Sequence, residues 1–272
     1  MRFSATSRIF APLLSWLLPA IAAHAQTALA AGSAHYGVYQ EDKNVGAGDY
    51  NIQPGPNGYT LTSHGNLNLS KFRYSFTNTE RLDSDLNLVR DELSGTVNGS
   101  PATFTANADS TGRQFQMNIS ANGKQTQNTV DRHQHLVLLP DLDPAAYALL
   151  ARLAIQNPPT SWILIPKQDG ILVPSSITHG SGVHGQLGGA QIDVQHSTVA
   201  IGAENAINVE LFYTSGGELL EADLPQQNFS VVHDGFKLLD HPNPTPPPNG
   251  PKGVNAQHYP APQGGVPQPV QQ

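Results

Sequence analysis

The stretch PDLDPAAYALLARLAI, Pro140–Ile155, is the one strongly helical passage of a chain whose other segments have the pattern of β-strands. Asp143 is a suitable N-cap, and Pro144 suits the first helical position because the N–H that it lacks has no helical partner there. Apolar residues then recur at three- and four-residue spacing, at Ala146, Leu149, Leu150, Leu153 and Ala154. Asn157-Pro158-Pro159 ends the pattern. The stretch therefore predicts an amphipathic helix of about three turns.

On both sides of this helix, apolar and polar residues alternate with period two. Phe72, Tyr74 and Phe76 share one face of such a segment, while Lys71 and Arg73 share the other. Asn-Gly and Asp-Gly dipeptides separate the segments and favour tight hairpins. The pattern predicts about a dozen antiparallel strands. Because a sheet of that size curls, we expect a mainly β fold, an antiparallel meander curled into a half-barrel or barrel, with the one helix covering its apolar face.

One predicted strand changes phase along its length. Ile192 and Val194 fall on one face of the alternating pattern, whereas Val199 and Ile201 fall on the other. A single extra residue in a strand produces such a change. The pattern therefore predicts a β-bulge near residues 197–198.

The first 25 residues have the features of a secretory signal peptide. Arg2 and Arg8 supply positive charge, an apolar run follows over residues 9–23, and Ala23 and Ala25 stand where signal peptidase reads small residues. The apolar run is shorter than the roughly 20 residues that a membrane span needs. We therefore expect cleavage before Gln26, with a later cut near Ala30 or Ala31 as the alternative. We also expect a periplasmic or secreted protein with no transmembrane span after cleavage.

The remaining chain divides into three parts. Residues 26–34 are a short flexible lead-in, and residues 35–240 form a single β-rich domain. Residues 241–272 contain ten prolines and almost no large apolar side chains. This composition cannot build a core, so it predicts a disordered, proline-rich tail. The tail is either a segment that contacts another envelope protein or a solvated terminus without a partner.

Composition excludes several classes of function. The chain has no cysteine, which excludes disulfides, thiolate metal sites and cysteine nucleophiles. Loss of Arg2 and Arg8 with the signal peptide leaves 12 basic against 21 acidic residues, a formal charge of −9. Such a surface argues against nucleic acid and anionic membranes as partners. Nothing in the sequence calls for a cofactor.

An apolar ligand site is the first candidate. One helix of three turns cannot cover the concave face of a dozen-strand sheet, so large side chains, a second copy of the chain or an apolar ligand must fill the rest. The predicted ligand-facing side chains are Phe72, Tyr74, Phe76, Tyr147, Leu150 and Trp162. Trp162 opens the apolar segment SWILIP after the helix, where it is either a central core residue or part of a cavity wall.

A metal site is the second candidate. In the segment DRHQH, Asp131, His133 and His135 point to the same side if the segment is a strand. Two imidazoles and a carboxylate are suitable ligands for zinc or a similar ion. These residues support a metal-dependent hydrolase as the alternative function, and a solvated strand face is the structural alternative.

Other catalytic patterns are weaker. The segment THGSGVHG places Ser181 between His179 and His184, but no G-x-S-x-G elbow and no following helix support a serine hydrolase. A glycine-rich hairpin explains the segment. No pair of acidic residues is placed across a cleft by the pattern, so glycosidase chemistry has no support.

The order of these features resembles families of uncharacterised β-rich bacterial envelope proteins. The shared features are a secretion signal, a long meander and an apolar helix at mid-chain, LDPAAYALLARL, followed by a strand like SWILIP. The expected shape also resembles the half-barrel of lipoprotein carriers of the LolA/LolB type, whose concave face holds acyl chains under helices. The resemblance extends over about residues 35–235 as a pattern and transfers no functional residue.

Taken together, the sequence predicts an exported, non-catalytic binding or scaffolding protein of the bacterial cell envelope. The resemblance implies that its ligand is a lipid or another apolar group.

Overall fold

The computed structural model describes residues 29–167, 170–203 and 205–240. These residues form a mainly β fold with one helix, which confirms the predicted fold class. The signal peptide predicted over residues 1–25 and the proline-rich tail predicted over residues 241–272 lie outside the described residues. Within the described part of the chain, no helix combines the length and the apolar character that a membrane crossing requires.

The first eight strands form a meander in which each strand pairs antiparallel with the next. They are β1 (Gly32–Gln40), β2 (Lys43–Gly55), β3 (Gly58–Asn68), β4 (Arg73–Leu82), β5 (Leu88–Val97), β6 (Ser100–Ala108), β7 (Gln114–Ala121) and β8 (Lys124–Asp131). Asn98-Gly99 and Asn122-Gly123 have positive φ at both residues, as two-residue hairpin loops require.

The second half begins with a short strand and the helix, and eight strands follow. These elements are β9 (Leu136–Leu138), α1 (Pro144–Gln156), β10 (Ser161–Ile165), β11 (Ile171–His179), β12 (Val183–Leu187), β13 (Ala190–Ile201), β14 (Ile207–Tyr213), β15 (Leu219–Leu224), β16 (Phe229–His233) and β17 (Phe236–Leu238). The described residues thus contain 17 strands, more than the dozen expected, because several segments are shorter than the period-two pattern can resolve.

The two halves join where β1 pairs with β16, so that the first and the penultimate strand lie side by side. From there, antiparallel pairing continues through β15, β14 and β13 to β11 and β10, and β10 pairs parallel with β9. The sheet does not close. Instead, its β9–β10 end overlaps the other half: Arg132 Nε donates to the Leu88 carbonyl at 3.2 Å, and Gly170 lies against Met117 of β7.

Helix α1 begins and ends where the sequence predicts. Asp143 Oδ1 accepts a hydrogen bond from the Ala145 N–H at 2.9 Å, Pro144 occupies the first turn, and Asn157 caps the end in a left-handed conformation with φ 49°. Asparagine tolerates this region better than most residues. The sequence signals of capping and termination therefore fixed both boundaries of the helix.

The helix is buried on all sides. The expectation of an amphipathic helix that covers one face of the sheet is therefore wrong. Every residue from Pro144 to Ala154 is buried, including Tyr147 and Arg152, which the periodicity placed on the flanks. The sheet curls around α1, with β2 and β3 on one side and β9, β11 and β13–β15 on others. Arg152 is accommodated because its Nη1 donates to the Gly216 carbonyl at 3.2 Å.

A second, smaller core explains the phase change in β13. The N-terminal part of β13 pairs with β12, which also pairs with β17, and this small sheet covers the outer face of β14–β16. Val194 packs in this outer core, whereas Val199 and Ile201 pack in the main core. The pairing with β14 runs from Gln195 to Ile201 without a register shift. The predicted bulge is therefore wrong, because the strand buries opposite faces along its length.

The start of the domain also differs from the expectation. β1 begins at Gly32, so the last residues of the predicted lead-in belong to the sheet. Ala34 is buried in the main core, which is why the ordered chain begins before residue 35.

A cross-strand row of three glycines and one phenylalanine lets the sheet curve tightly. Gly48, Gly65, Phe76 and Gly95 are direct cross-strand neighbours on β2, β3, β4 and β5. The ring of Phe76 lies over Gly65, where an added Cβ would stand 2.3 Å from the ring, and Gly48 lies against Pro144 of the helix. Glycines at such positions permit close approach and strong coiling of strands. The same row thus bends the sheet and admits the start of α1.

We expect the substitution Leu150→Ala to lower the free energy of unfolding by about 2–5 kcal/mol, because it leaves a cavity around a fully buried side chain. Chemical denaturation measures this loss. Ile155→Ala removes a side chain of similar size that is 38% exposed on the same helix, and it should cost much less. Equal losses in the two variants would contradict burial of the helix on all sides.

We expect Gly65→Ala to destabilise the protein by about 1–3 kcal/mol, because the new Cβ displaces the Phe76 ring from its place in the core. Gly55→Ala is the matched control on the neighbouring strand, since a Cβ there meets only an ordinary contact at 3.7 Å. Replacement of glycine otherwise stabilises by reducing the freedom of the unfolded chain. A Gly65→Ala protein as stable as the control shows that the ring moves without cost.

Candidate functional site

The predicted aromatic row exists and lies on the inner face at the start of β4. Phe72 and Tyr74 stack at 6.3 Å between ring centroids, and Tyr74 and Phe76 stack at 5.3 Å. Phe76 is buried, whereas Phe72 and Tyr74 are half-buried. Burial raises the pKa of the Tyr74 phenol well above its ordinary value, and the nearby Asp141 and Asp143 carboxylates raise it further. The row therefore runs from the core to the edge of the interior.

Two residues of β5 extend this half-buried surface. Val97 is the direct cross-strand partner of Tyr74. Leu93 lies four residues earlier in β5, on the same face, and is the cross-strand partner of Asn78. Both are half-buried, as is Gly95 between them, whereas Ser94 and Thr96 are exposed on the opposite face of β5. We call Phe72, Tyr74, Leu93 and Val97 the apolar shelf. The sequence pattern contained Leu93 and Val97 as alternating positions in LNLVRDELSGTV, but only the register with β4 brings them to the aromatic row.

The two predicted helical contacts lie deeper. Tyr147 is 1% exposed and Leu150 is 0% exposed, so the side chains that surround α1 fill the space in which a ligand was expected. Burial raises the pKa of the Tyr147 phenol, and the Asp141 and Asp143 carboxylates act in the same direction. A ligand reaches these two residues only if the helix moves.

Trp162 lies apart from the shelf, at the start of β10. It is half-buried, its backbone N–H donates to the His135 carbonyl at 3.1 Å, and the His133 ring stacks on its indole at 3.9 Å between centroids. Trp162 pairs with Leu136 of β9, which is fully buried. The His133 ring therefore covers one face of the indole that was expected to line a cavity.

The predicted metal ligands do not share a strand face. β8 ends at Asp131, His133 stacks on Trp162, and His135 has a left-handed φ of 53° in the connection to β9. Strand alternation, on which the prediction rested, does not extend to the two histidines. Across residues 29–167, 170–203 and 205–240, no group of three or more His, Cys, Asp or Glu side chains is arranged to hold a metal ion.

The residues of THGSGVHG also fail to converge. His179 Nδ1 lies 3.1 Å from Ser197 Oγ, and His184 Nδ1 lies 2.9 Å from Asp240, so each histidine has a partner outside the segment. Ser197 is fully buried and lies 2.7 Å from the Tyr213 hydroxyl, which leaves no room for a substrate. The expected glycine-rich hairpin is also wrong, because β11 and β12 both pair antiparallel with β13 and the glycines connect two strands that run in the same direction.

A cluster of buried acids, which the sequence analysis does not predict, lies beside the aromatic row. Glu80 of β4 and Asp91 of β5 are direct cross-strand partners, and Asp143 caps the helix above them. All three are at most 1% exposed. We call these three residues the carboxyl cluster. Ser63 Oγ donates to Asp143 Oδ2 at 2.9 Å, and Asn78 Nδ2 donates to Glu80 Oε1 at 3.2 Å.

The carboxyl cluster is electrostatically unusual. Burial raises the pKa of Glu80 to about 8, with a further contribution from the Asp143 charge, and it raises the pKa of Asp143 to about 6. Burial and the adjacent Glu80 charge raise the pKa of Asp91 well above its ordinary range. The desolvated carboxylate form is disfavoured in each case. In the folded protein these groups therefore retain protons at pH values where exposed carboxyls have lost them.

A shallow open depression of about 480 Å³ lies elsewhere, on the outer surface near the turn between β1 and β2. Its lining comprises Glu41, Asp42, Asp223, Pro225, Asn228, Phe229 and Ser230. None of the predicted ligand-facing residues contributes to it. Its acidic character does not suit an apolar group.

No protein-family model matches the chain. No curated protein matches it either. A solved β-barrel-like protein of the domain of unknown function DUF1849 from Brucella abortus is similar in structure, with a TM-score of 0.50, 12% identity, and coverage of 78% of this chain and 99% of that chain. A DUF1089 family protein from Pseudomonas aeruginosa has a TM-score of 0.42 and 12% identity over 66% of this chain and 90% of that chain. At this identity, the likeness to the DUF1849 protein shows a shared barrel-like fold alone.

Proposed function

We propose that this chain is an exported, non-catalytic binding protein of the bacterial cell envelope that holds the apolar part of a lipid on the apolar shelf. The observation that carries the proposal is the half-buried state of Phe72, Tyr74, Leu93 and Val97 on one concave face. Contiguous apolar surface that the fold leaves partly uncovered is typical of ligand-binding grooves. A polar outer face and an apolar inner face suit a carrier whose cargo avoids water.

The surroundings of the shelf favour an acyl chain over a larger rigid ligand. Gly95 and Ala102 are neighbours on β5 and β6 next to Phe76, and both are half-buried. Small residues beside an aromatic row add little side-chain bulk to this part of the face. A flexible hydrocarbon chain fits such a surface and gains about 0.8 kcal/mol for each buried CH₂ group.

Export is the second part of the proposal. It is supported by the features of the first 25 residues: two arginines, an apolar run too short to span a bilayer, and small residues at the cleavage position. The curled meander with an interior helix resembles the half-barrel carriers of the envelope, which agrees with this location. The proline-rich composition of residues 241–272 suits contact with an envelope partner.

We expect the purified protein to bind a fluorescent long-chain fatty acid, and the double variant Leu93→Asn/Val97→Asn to bind it at least ~10-fold more weakly, because unpaired amide groups would face the chain. Ser94→Asn/Thr96→Asn is the matched control, since both residues are exposed on the opposite face of β5. Native mass spectrometry of the wild type tests for lipid retained during purification. Equal affinity of the two double variants, or no binding by the wild type, would reject the shelf as the site.

We expect the full-length chain, expressed in a Gram-negative host, to be found in the periplasmic fraction with an intact mass that begins at Gln26. Ala25→Arg should block cleavage and leave the mass of the precursor, because signal peptidase requires a small residue there. Ala30→Arg is the control and should leave the Gln26 product unchanged. A cytoplasmic wild-type chain that begins at Met1 contradicts the export proposal.

A further inference from the structure

Three carboxyls in a protein interior without a cationic neighbour require an explanation. Glu80, Asp91 and Asp143 are all buried in the same region, between β4, β5 and the start of α1. Acidic side chains are almost never fully buried unless they are paired. Transfer of an isolated carboxylate from water into such a site costs far more than the stability of a domain, so the group becomes neutral instead.

The hydrogen bonds of the cluster are incomplete in a specific way. Both oxygens of Asp91, Glu80 Oε2 and Asn78 Oδ1 are buried atoms without a hydrogen-bond partner in the described structure. All four are acceptors when the carboxyls are ionised. Protonation converts a carboxyl oxygen into a donor, so that it can form a hydrogen bond with one of the unpaired acceptors.

Asp143 joins this chemistry to the helix. Its carboxyl caps the N-terminus of α1 through the Ala145 N–H and also accepts from Ser63 of β3. Pro144 follows it and lies against Gly48 of β2. The start of the helix is therefore held where three buried carboxyls meet.

We propose that the carboxyl cluster is a proton-dependent latch that holds the N-terminal end of α1 inside the sheet while the carboxyls are protonated and releases it as they ionise. Ionised Glu80, Asp91 and Asp143 repel one another in a medium that screens charge poorly. The helix end is the part that can yield, because β4 and β5 are fixed by their ladder hydrogen bonds.

The groups around the latch add negative charge or none. From β3 and β4, Ser63, Asn78 and Tyr74 face it; from β5, Glu92 acts on Asp91 through space; from α1 and the preceding loop, Tyr147 and Asp141 lie near Asp143. In the described part of the chain, no Lys, Arg or His side chain is among the groups that shift the pKa values of the three carboxyls. The hydrogen bonds donated by Ser63 and Asn78 and the N-terminus of the helix favour the ionised state, but burial outweighs them in each carboxyl.

The direction of the pH effect follows from the raised pKa values. A carboxyl that binds its proton more tightly in the folded than in the unfolded state stabilises the fold fully below its unfolded pKa, near 4. The contribution is lost as pH rises through the folded pKa, about 6 for Asp143 and about 8 for Glu80. The latch is therefore closed in mild acid and weakens between about pH 4 and pH 8.

Release of the helix would uncover the deep end of the proposed ligand site. Tyr74 and Phe76 precede Asn78 and Glu80 on the same face of β4, and Tyr147 lies in the first turns of α1. This last step rests on the proposed function, because it assigns the opened surface to the cargo. The latch itself does not depend on the presence of a ligand.

Native-state hydrogen exchange of the α1 amides tests the latch on the mature protein without any lipid. After correction for the intrinsic rates, we expect the opening constant of the first turns to rise up to ~10-fold per pH unit for each carboxyl that ionises. Glu80→Gln/Asp91→Asn mimics the protonated pair and should flatten this dependence. Asp85→Asn, which removes an exposed carboxyl in the turn before β5, should retain the wild-type slope.

Three results would overturn the latch. The first is exchange of the helix amides that does not depend on pH in the wild type, a measurement that needs no variant to fold. The second is an unchanged slope in Glu80→Gln/Asp91→Asn. The third is that millimolar Ca²⁺ at about pH 8 protects the helix amides from exchange in the wild type and not in this variant. That result would make the cluster a cation site. Fatty-acid binding that persists in any of these cases leaves the proposed function standing.

Discussion

Burial of a single helix on every side is the constraint on which the rest of the structure depends. Leu149, Leu150 and Ala154 are fully buried, and even Arg152 lies inside the sheet. A sheet with one apolar face gains most when that face surrounds its partner instead of resting on it. The open, overlapping edges follow from this arrangement, since β9 and β10 must enter the interior to cover the side of the helix that the meander does not reach.

The same constraint explains why acids are found in the core. A helix that starts in the interior must cap its first N–H groups without water, and Asp143 does so with Ser63 as its support. Glu80 and Asp91 lie beside that cap at the point where the apolar row of β4 ends. One strand thus carries an aromatic surface and an acidic surface in succession on a single face, and the start of the helix lies against their junction.

Local signals in the sequence predicted the local parts of the fold. Asp143, Pro144 and Asn157 set the helix boundaries, and the alternation of Phe72, Tyr74 and Phe76 placed them on one face, as the structure has them. Local signals could not predict the full burial of the helix, because Tyr147 and Arg152 carry polar groups that usually mark a solvated flank. The outer core was missed for a similar reason, since alternation cannot tell which face of β13 another layer will cover.

The candidate site could be predicted only in part. The aromatic row is visible in the sequence, whereas Leu93 and Val97 join it through the pairing of β4 with β5. Glu80 and Asp91 look like ordinary solvated residues of strand ends, because nothing nearby in the sequence reveals that they become partners inside the core. Their proximity is a property of register, which depends on the whole sheet and not on either segment.

The pairing of β1 with β16 has a consequence for how the chain acquires its shape. Tyr36 finds its partner His233 only after nearly the whole described chain has been synthesised, and that contact joins the two halves of the sheet. Pairings between such distant segments form slowly, because the entropy of a very long loop is lost before the contact is gained. The nascent polypeptide therefore passes through a long period in which one edge of its first strand has no partner.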